Sequence, residues 1–253
     1  MIYFLTIAAS DNSGGAGIQQ DIKIADRLNC WPLSAITGIT VQNFNKIFTI
    51  EPVSPDLLKY QIENCINYFP INSIKIGAIC SKENIMIIAE CLKKFPHENI
   101  VIDPVIFSTS GAQFLDNESL TILKQKLFPF AHLVTPNRYE FELLVGQSIN
   151  SLDEAVKIAK NKCYEWNTAI LLKGGHFESD IIREALITHT SIYYFERARN
   201  VFHYSHGTGC TLSSAIACYL GMGKNIYDSY LLASELLVDF YKNIQKDFNP
   251  LIS

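Results

Sequence analysis

The chain has no pair of cysteines in C-x-x-C spacing, and its seven cysteines (Cys30, Cys65, Cys80, Cys91, Cys163, Cys210 and Cys218) make an odd count. That pattern argues against a disulfide framework and a structural zinc site, and it fits a reducing, cytoplasmic compartment. Apolar runs stay well short of the roughly 18 residues of a membrane span. The apolar N-terminal stretch lacks a basic flank and breaks at Ser10-Asp11, which reads as a strand rather than a signal peptide. No run of five or six like charges occurs: 21 basic and 25 acidic residues are interspersed for a net charge of −4, which provides no footprint for nucleic acid. Internal repeats, low-complexity tracts and linkers are also missing, so the expectation is one domain over residues 1–253.

What is present is alternation. Apolar strand-like runs at Tyr3–Ala9, Leu33–Val41, Ser73–Ile79, Asn99–Ile102, His132–Val134 and Thr168–Leu172 are separated by helical patterns. The helical patterns include the Ile18, Ile22, Ala25, Leu28 stripe and the segments Asp56–Tyr68, Lys82–Phe95, Asn117–Leu127 and Leu152–Trp166. Strands spaced by such helices predict an α/β fold with a mostly parallel sheet covered on both faces. Short strand-like pieces between Glu184 and His203 predict a hairpin or meander at one edge. Two helices, Thr208–Leu220 and Asn225–Gln245, close the chain.

In such sheets a ligand crevice lies beyond the carboxyl ends of the strands. Those ends carry Ser10-Asp11, Gln42-Asn43, the segment after Gly77, Asp103, Thr135-Pro136-Asn137 and Lys173-Gly174-Gly175-His176. Ser13–Gly17 (SGGAG) opens the first helix, but Gln20 stands where a dinucleotide fingerprint needs glycine, and no G-K-[ST] follows. Its glycines, Gly17 included, let a ligand approach the backbone. Asp21 is favoured by the helix dipole whatever its role. Alternatively Asp21 and Gln42 face each other, suited to the edge of an amino-substituted heteroaromatic ring.

Asp103 ends a central strand, where a buried acid requires a partner or a hard cation. Asn137 and Glu140 have capping-box spacing; Glu140 also suits a water-mediated magnesium site. Lys173, followed by two glycines, can reach a phosphate as a point charge. In HGTGC, Gly207 and Gly209 allow a sharp turn, so the free N–H groups of the following helix form an anion hole that includes Thr208. Cys210 stands in the first turn, where the dipole is expected to lower its pKa toward neutrality and fit it as a general base. Core packing is the plainer explanation of such a cysteine. Pairing of Cys210 with His206 as in a cysteine peptidase lacks a third orienting group and a nucleophile signature.

The segments SDNSGGAGIQQD, TVQN, KIG, DPV, TPN-x-x-E, LKGGH and HGTGCTLSSAIA, in this order from about Thr6 to Leu220, resemble the hydroxymethylpyrimidine/phosphomethylpyrimidine kinases of thiamine biosynthesis, within the ribokinase-like superfamily. The resemblance implies a three-layer α/β/α sandwich and two successive ATP-dependent transfers. The first acts on 4-amino-5-hydroxymethyl-2-methylpyrimidine, the second on its monophosphate. It further implies Asp21, Gln42 and Gly17 on the pyrimidine and Val105 against the ring. Lys173, Asn137 and Thr208 would lie on ATP, Asp103 and Glu140 near Mg2+, and Gly207–Cys210 would serve as anion hole and base. A homodimer is implied as well, with neither nucleic acid nor membrane as partner. Ala9, Ala78 and Thr109 depart from the glycine, methionine and lysine usual in the family, the first two reshaping the pocket wall and the third removing a charge. Pyridoxal or pyridoxine kinase is the nearest alternative, and a pyrimidine sensor without turnover another.

Overall fold

The computed structural model describes residues 1–43, 45–108, 111–174, 181–199, 202 and 206–247, with side chains of 245–247 excepted. The expected positions Thr109, Gly175 and His176, and most of the last strand-like piece before His206, lie outside the described residues.

One nine-stranded sheet organises the chain, in the order β3-β2-β1-β4-β5-β6-β7-β8-β9. Its strands are β1 (Ile2–Asp11), β2 (Cys30–Gln42), β3 (Ile47–Pro52), β4 (Ile71–Ile76), β5 (Ile100–Ile102), β6 (Leu133–Val134), β7 (Ala169–Leu172), β8 (Ile181–Ile187) and β9 (Ile192–Ala198). The β2-β1-β4-β5-β6-β7 block is parallel, whereas β3 at one edge and the β8–β9 hairpin at the other are antiparallel. The hairpin matches the expectation from sequence. β3 was not anticipated, because this short strand is largely exposed and so lacks the apolar alternation that marks a half-buried one.

The helices are α1 (Gly17–Arg27), α2 (Pro55–Tyr68), α3 (Lys82–Lys94), α4 (Asn117–Ile122), α5 (Arg138–Val145), α6 (Leu152–Trp166), α7 (Thr208–Gly221) and α8 (Ile226–Asp247). They form two layers. Leu5, Ile7, Ile74 and Ile76 point to a core shared with α2 through α6, while Phe4 and Val101 point to one shared with α1, α7 and α8. This is the strand period of two, which sends neighbouring side chains to opposite faces. Helix starts follow capping rules: Ser81, Asp116 and Ser151 each accept an N–H from the residue three positions on. The helix expected over Asn117–Leu127 is α-helical only to Ile122 and widens into a π turn, Leu123–Leu127, ahead of Phe128-Pro129. Among the described residues, no helix is long and apolar enough to cross a membrane.

Candidate functional site

From β1 the chain crosses to β2 on one side and later returns to β4 on the other, so a crevice opens at the carboxyl end of β1. Asp11 closes that strand and organises the glycine loop behind it. Its Oδ1 accepts from Ser13 N (2.7 Å) and Ser13 Oγ (2.6 Å), and its Oδ2 from Ala16 N (2.8 Å). Gly17 then enters α1 at φ +57°, where a Cβ would stand 2.3 Å from Ala9 O, so only glycine fits. Burial opposes the charge on Asp11. Hydrogen bonds from His206, Ser13 and Gln42 outweigh it and hold the carboxyl well below the usual range.

Gln42, at the end of β2, is buried, with its main-chain N–H bonded to Asn12 Oδ1 and its carboxamide toward Asp11. The expected pairing of Gln42 with Asp21 is therefore corrected. Asp21 is fully buried: Lys75 Nζ contacts its oxygens at 2.8 and 2.9 Å, and Thr6 Oγ1 and Ser214 Oγ donate to it at 2.5 and 2.7 Å. One turn into α1, this carboxylate faces the sheet and α7, with its lone pairs already engaged.

Beside Gln42 runs an apolar wall. Val105, after β5, packs with Ala9, Ala78 and Cys80, flanked by Ile50 and Phe114. The alanines at 9 and 78 both belong to this cluster. A cavity of about 410 Å³ bordered by Cys80, Phe114 and Asp116 adjoins it.

The opposite end of the crevice is charged. Lys173 Nζ lies 2.8 Å from Asp103 Oδ1 and 3.8 Å from Glu140 Oε2. Burial disfavours the ammonium, but the two carboxylates raise its pKa overall. Asp103 also accepts from Thr135 Oγ1 (3.2 Å) and Ser213 Oγ (3.4 Å); burial works against its charge, and Lys173 and Lys75 prevail and lower it. Glu140 is pushed up to about 7 by burial, with Asp103 adding to the rise and Lys173 opposing it. Asn137 and Glu140 form a complete capping box, with bonds of 2.7 and 2.9 Å. The capping explanation is therefore satisfied, and it coexists with a charged position beside Lys173.

Between these ends stands the start of α7. Gly207 is its N-cap at φ +80°, with no side chain capping the helix; a Cβ there would meet Gly15 O at 1.9 Å. Gly209 faces the charged cluster so closely that a Cβ would lie 3.3 Å from Asp103 Oδ2 and 3.6 Å from Lys173 Nζ. The first-turn amides of Thr208, Gly209 and Cys210 are thus gathered beside the lysine, an arrangement suited to an anion. Cys210 itself is half-buried and receives a backbone hydrogen bond from Gly17. The expected fall in its pKa is corrected: burial pushes the thiol up to about 11, Asp21 and Asp103 add to the rise, and Lys75 opposes it.

A family model described as phosphomethylpyrimidine kinase matches residues 11–249, nearly all of this crevice included. The chain belongs to the phosphomethylpyrimidine kinase family. Its members are phosphotransferases, and this chain is one. It is 34% identical over 96% of its length to a hydroxymethylpyrimidine/phosphomethylpyrimidine kinase of Aquifex aeolicus, 95% of which it covers. The crystal structure of a phosphomethylpyrimidine kinase from Clostridium difficile superposes with a TM-score of 0.84 at 34% identity, covering 94% of this chain and 99% of that one. A pyridoxal kinase from Staphylococcus aureus in complex with ADP superposes with a TM-score of 0.88 at 27% identity, covering 96% and 89%. The sheet and its layers are those of the ribokinase-like kinases of this family.

Three side chains central to the geometry had no assigned role from sequence: Asp11 was placed only among the polar strand ends, His206 was weighed only as a peptidase partner of Cys210, and Lys75 was not singled out. Lys75 had a readable signal, a charge between Ile74 and Ile76 in the strand INSIKI, which demands a buried counter-ion.

Proposed function

We propose that the protein transfers a phosphoryl group from ATP to the hydroxymethyl oxygen of 4-amino-5-hydroxymethyl-2-methylpyrimidine, and a second to the resulting monophosphate, in thiamine biosynthesis. The observation that carries the reading is the meeting of Lys173, Asp103 and the uncapped start of α7 around Gly209. Phosphoryl transfer is mostly positioning and charge neutralisation, and this meeting supplies both.

In this reading Gln42 and the backbone at Gly17 hold the ring edge, and Val105 packs on its face. Lys173, Asn137 and Thr208 take the ATP phosphates, and the amides of Gly207–Cys210 take the negative charge that grows on the transferred group. The alcohol oxygen bonds to the terminal phosphorus as the bridging P–O bond to ADP breaks, and the alcohol proton passes to the thiolate form of Cys210, a small fraction near neutral pH because burial pushes the thiol up to about 11. Asp103 and Glu140 offer hard oxygen ligands on one side of Lys173, which suits Mg2+, an ion that keeps several waters and takes one or two carboxylates. When bound, the ion would neutralise phosphate charge.

The chain is read as one catalytic domain over residues 1–253 in a cytoplasmic setting, on its odd cysteine count without a C-x-x-C pair. A second copy is its proposed partner: Ile39, Val41 and Phe48 leave more than half of their surface exposed at the β2–β3 end of the sheet. The likeness to a pyridoxal kinase favours one alternative, phosphorylation of a B6 vitamer. Mass spectrometry of products from ATP, Mg2+ and each alcohol decides between them. A much higher kcat/KM for pyridoxal reverses the assignment, and tight pyrimidine binding without ADP release establishes a sensor.

A further inference from the structure

Two glycine loops meet across the crevice, one after β1 and one before α7, and their backbones touch where Gly207 lies against Gly15 O. Asp11 has no assigned part in phosphoryl transfer, yet it reaches both. Its carboxylate folds the first loop through Ser13 and Ala16, and its Oδ2 also meets His206 Nε2 at 3.0 Å. An ionised carboxylate only accepts, so Nε2 carries the proton of this bond. His206 is further fixed by its carbonyl, which accepts from Tyr241 Oη at 2.7 Å. One turn on, Gln20 Nε2 donates to Thr211 Oγ1 at 2.8 Å, so the two helices are joined in parallel with the loops.

We propose that Asp11 and His206 are a positioning pair that sets the anion-gripping turn Gly207–Cys210 against the ring-side loop Ser13–Gly17, and so governs nucleotide grip and transfer rate. The inference rests on reading the start of α7 as the phosphate site. It assigns His206 no contact with either reactant. A loop held by glycines has little stiffness of its own, and a misplacement of about 1 Å can cost on the order of 10²-fold in rate.

The geometry of the bond gives a test that general destabilisation does not mimic. Glutamine can place an amide N–H near the position of Nε2, whereas the shorter asparagine places it near Nδ1 and falls short of Asp11. The full-length protein carrying His206→Gln or His206→Asn is compared with the unaltered protein by calorimetry with a non-hydrolysable ATP analogue, by kinetics and by melting temperature. His206→Asn is expected to weaken analogue binding about tenfold, the scale of one lost hydrogen bond. It is also expected to lower kcat by about 10²-fold, with alcohol affinity and melting temperature little changed. His206→Gln restores both within about threefold. Equal impairment in both variants, no impairment in either, or unfolding of His206→Asn alone overturns the proposal. Failure of the unaltered protein to phosphorylate the pyrimidine alcohol sinks the substrate assignment instead, and the analogue-binding comparison still reads the pair.

Discussion

Lys75 holds both carboxylate oxygens of Asp21, at 2.8 and 2.9 Å, where neither side chain meets solvent. A buried ion pair is a weak source of net stability, but removing one partner strands the other charge. Lys75→Met is therefore expected to destabilise the fold by about 3–5 kcal/mol. Lys75→Met combined with Asp21→Asn should recover much of that loss, because Thr6 and Ser214 can still bond the amide. Urea unfolding of the single and double variants measures the difference, and equal stability of the two would show that the pair is uncoupled.

Glu140 separates two roles within one side chain. Glutamine at the third helical position still completes a capping box, so Glu140→Gln should leave α5 intact while removing the charge beside Lys173 and Asp103. Kinase activity at saturating ATP is expected to fall and its Mg2+ requirement to rise, with melting temperature at pH 8 unchanged or higher. The pH dependence has a definite sign. The folded carboxyl ionises near 7 and the unfolded one near 4.5, so the folded state binds the proton more tightly, and this group's contribution to stability declines as pH rises between those values. Glu140→Gln should flatten that decline. Glu140→Ala should lose both cap and charge.

The parallel block of the sheet and most helices were legible in the sequence because their residues obey local periodicity. Ile74 and Ile76 alternate as a strand must, and Ser81 and Ser151 stand where caps must. The strand ends bearing Asp103, Asn137 and Lys173 were legible for the same reason, since β5, β6 and β7 fix where each chain leaves the sheet. The partners of Asp21 were not legible because spacing places it on α1 without saying which neighbour faces it. Only the packing of β4 and α7 beneath that helix brings Lys75 and Ser214 to its oxygens. The pKa of the Cys210 thiol was misread because dipole direction is visible in a sequence, while desolvation depends on what packs around the side chain.

The high thiol pKa has a kinetic consequence. If Cys210 accepts the alcohol proton as thiolate, the reactive fraction increases with pH up to about 11, so kcat should climb through pH 7–9 rather than level off near neutrality. Cys210→Ala should lower kcat by roughly 10²–10⁴-fold with pyrimidine affinity retained, and remove that climb. A rate unchanged by the substitution takes the sulfur out of the mechanism and leaves the anion hole in place.

The two glycines flanking Thr208 make opposite predictions. Gly207 has φ +80° and its Cα lies against the Gly15 carbonyl, so Gly207→Ala must adopt a left-handed conformation and also displace backbone at 1.9 Å. Strain of that kind costs about 1–3 kcal/mol before the clash is counted, and the melting temperature should fall clearly. Gly209 is within helix α7, where alanine is a better helix former than glycine, and its nearest neighbours are the Asp103 oxygen at 3.3 Å and the Lys173 nitrogen at 3.6 Å. Gly209→Ala should therefore fold nearly as well as the parent, yet project a methyl group into the space between the first-turn amides and the lysine. Binding of an ATP analogue, followed by calorimetry, should weaken at least about tenfold, as for loss of a hydrogen bond to a charged group. If Gly209→Ala bound the analogue normally, the terminal phosphate would have to lie elsewhere. If Gly207→Ala kept its stability, the close packing of the two glycine loops would be refuted.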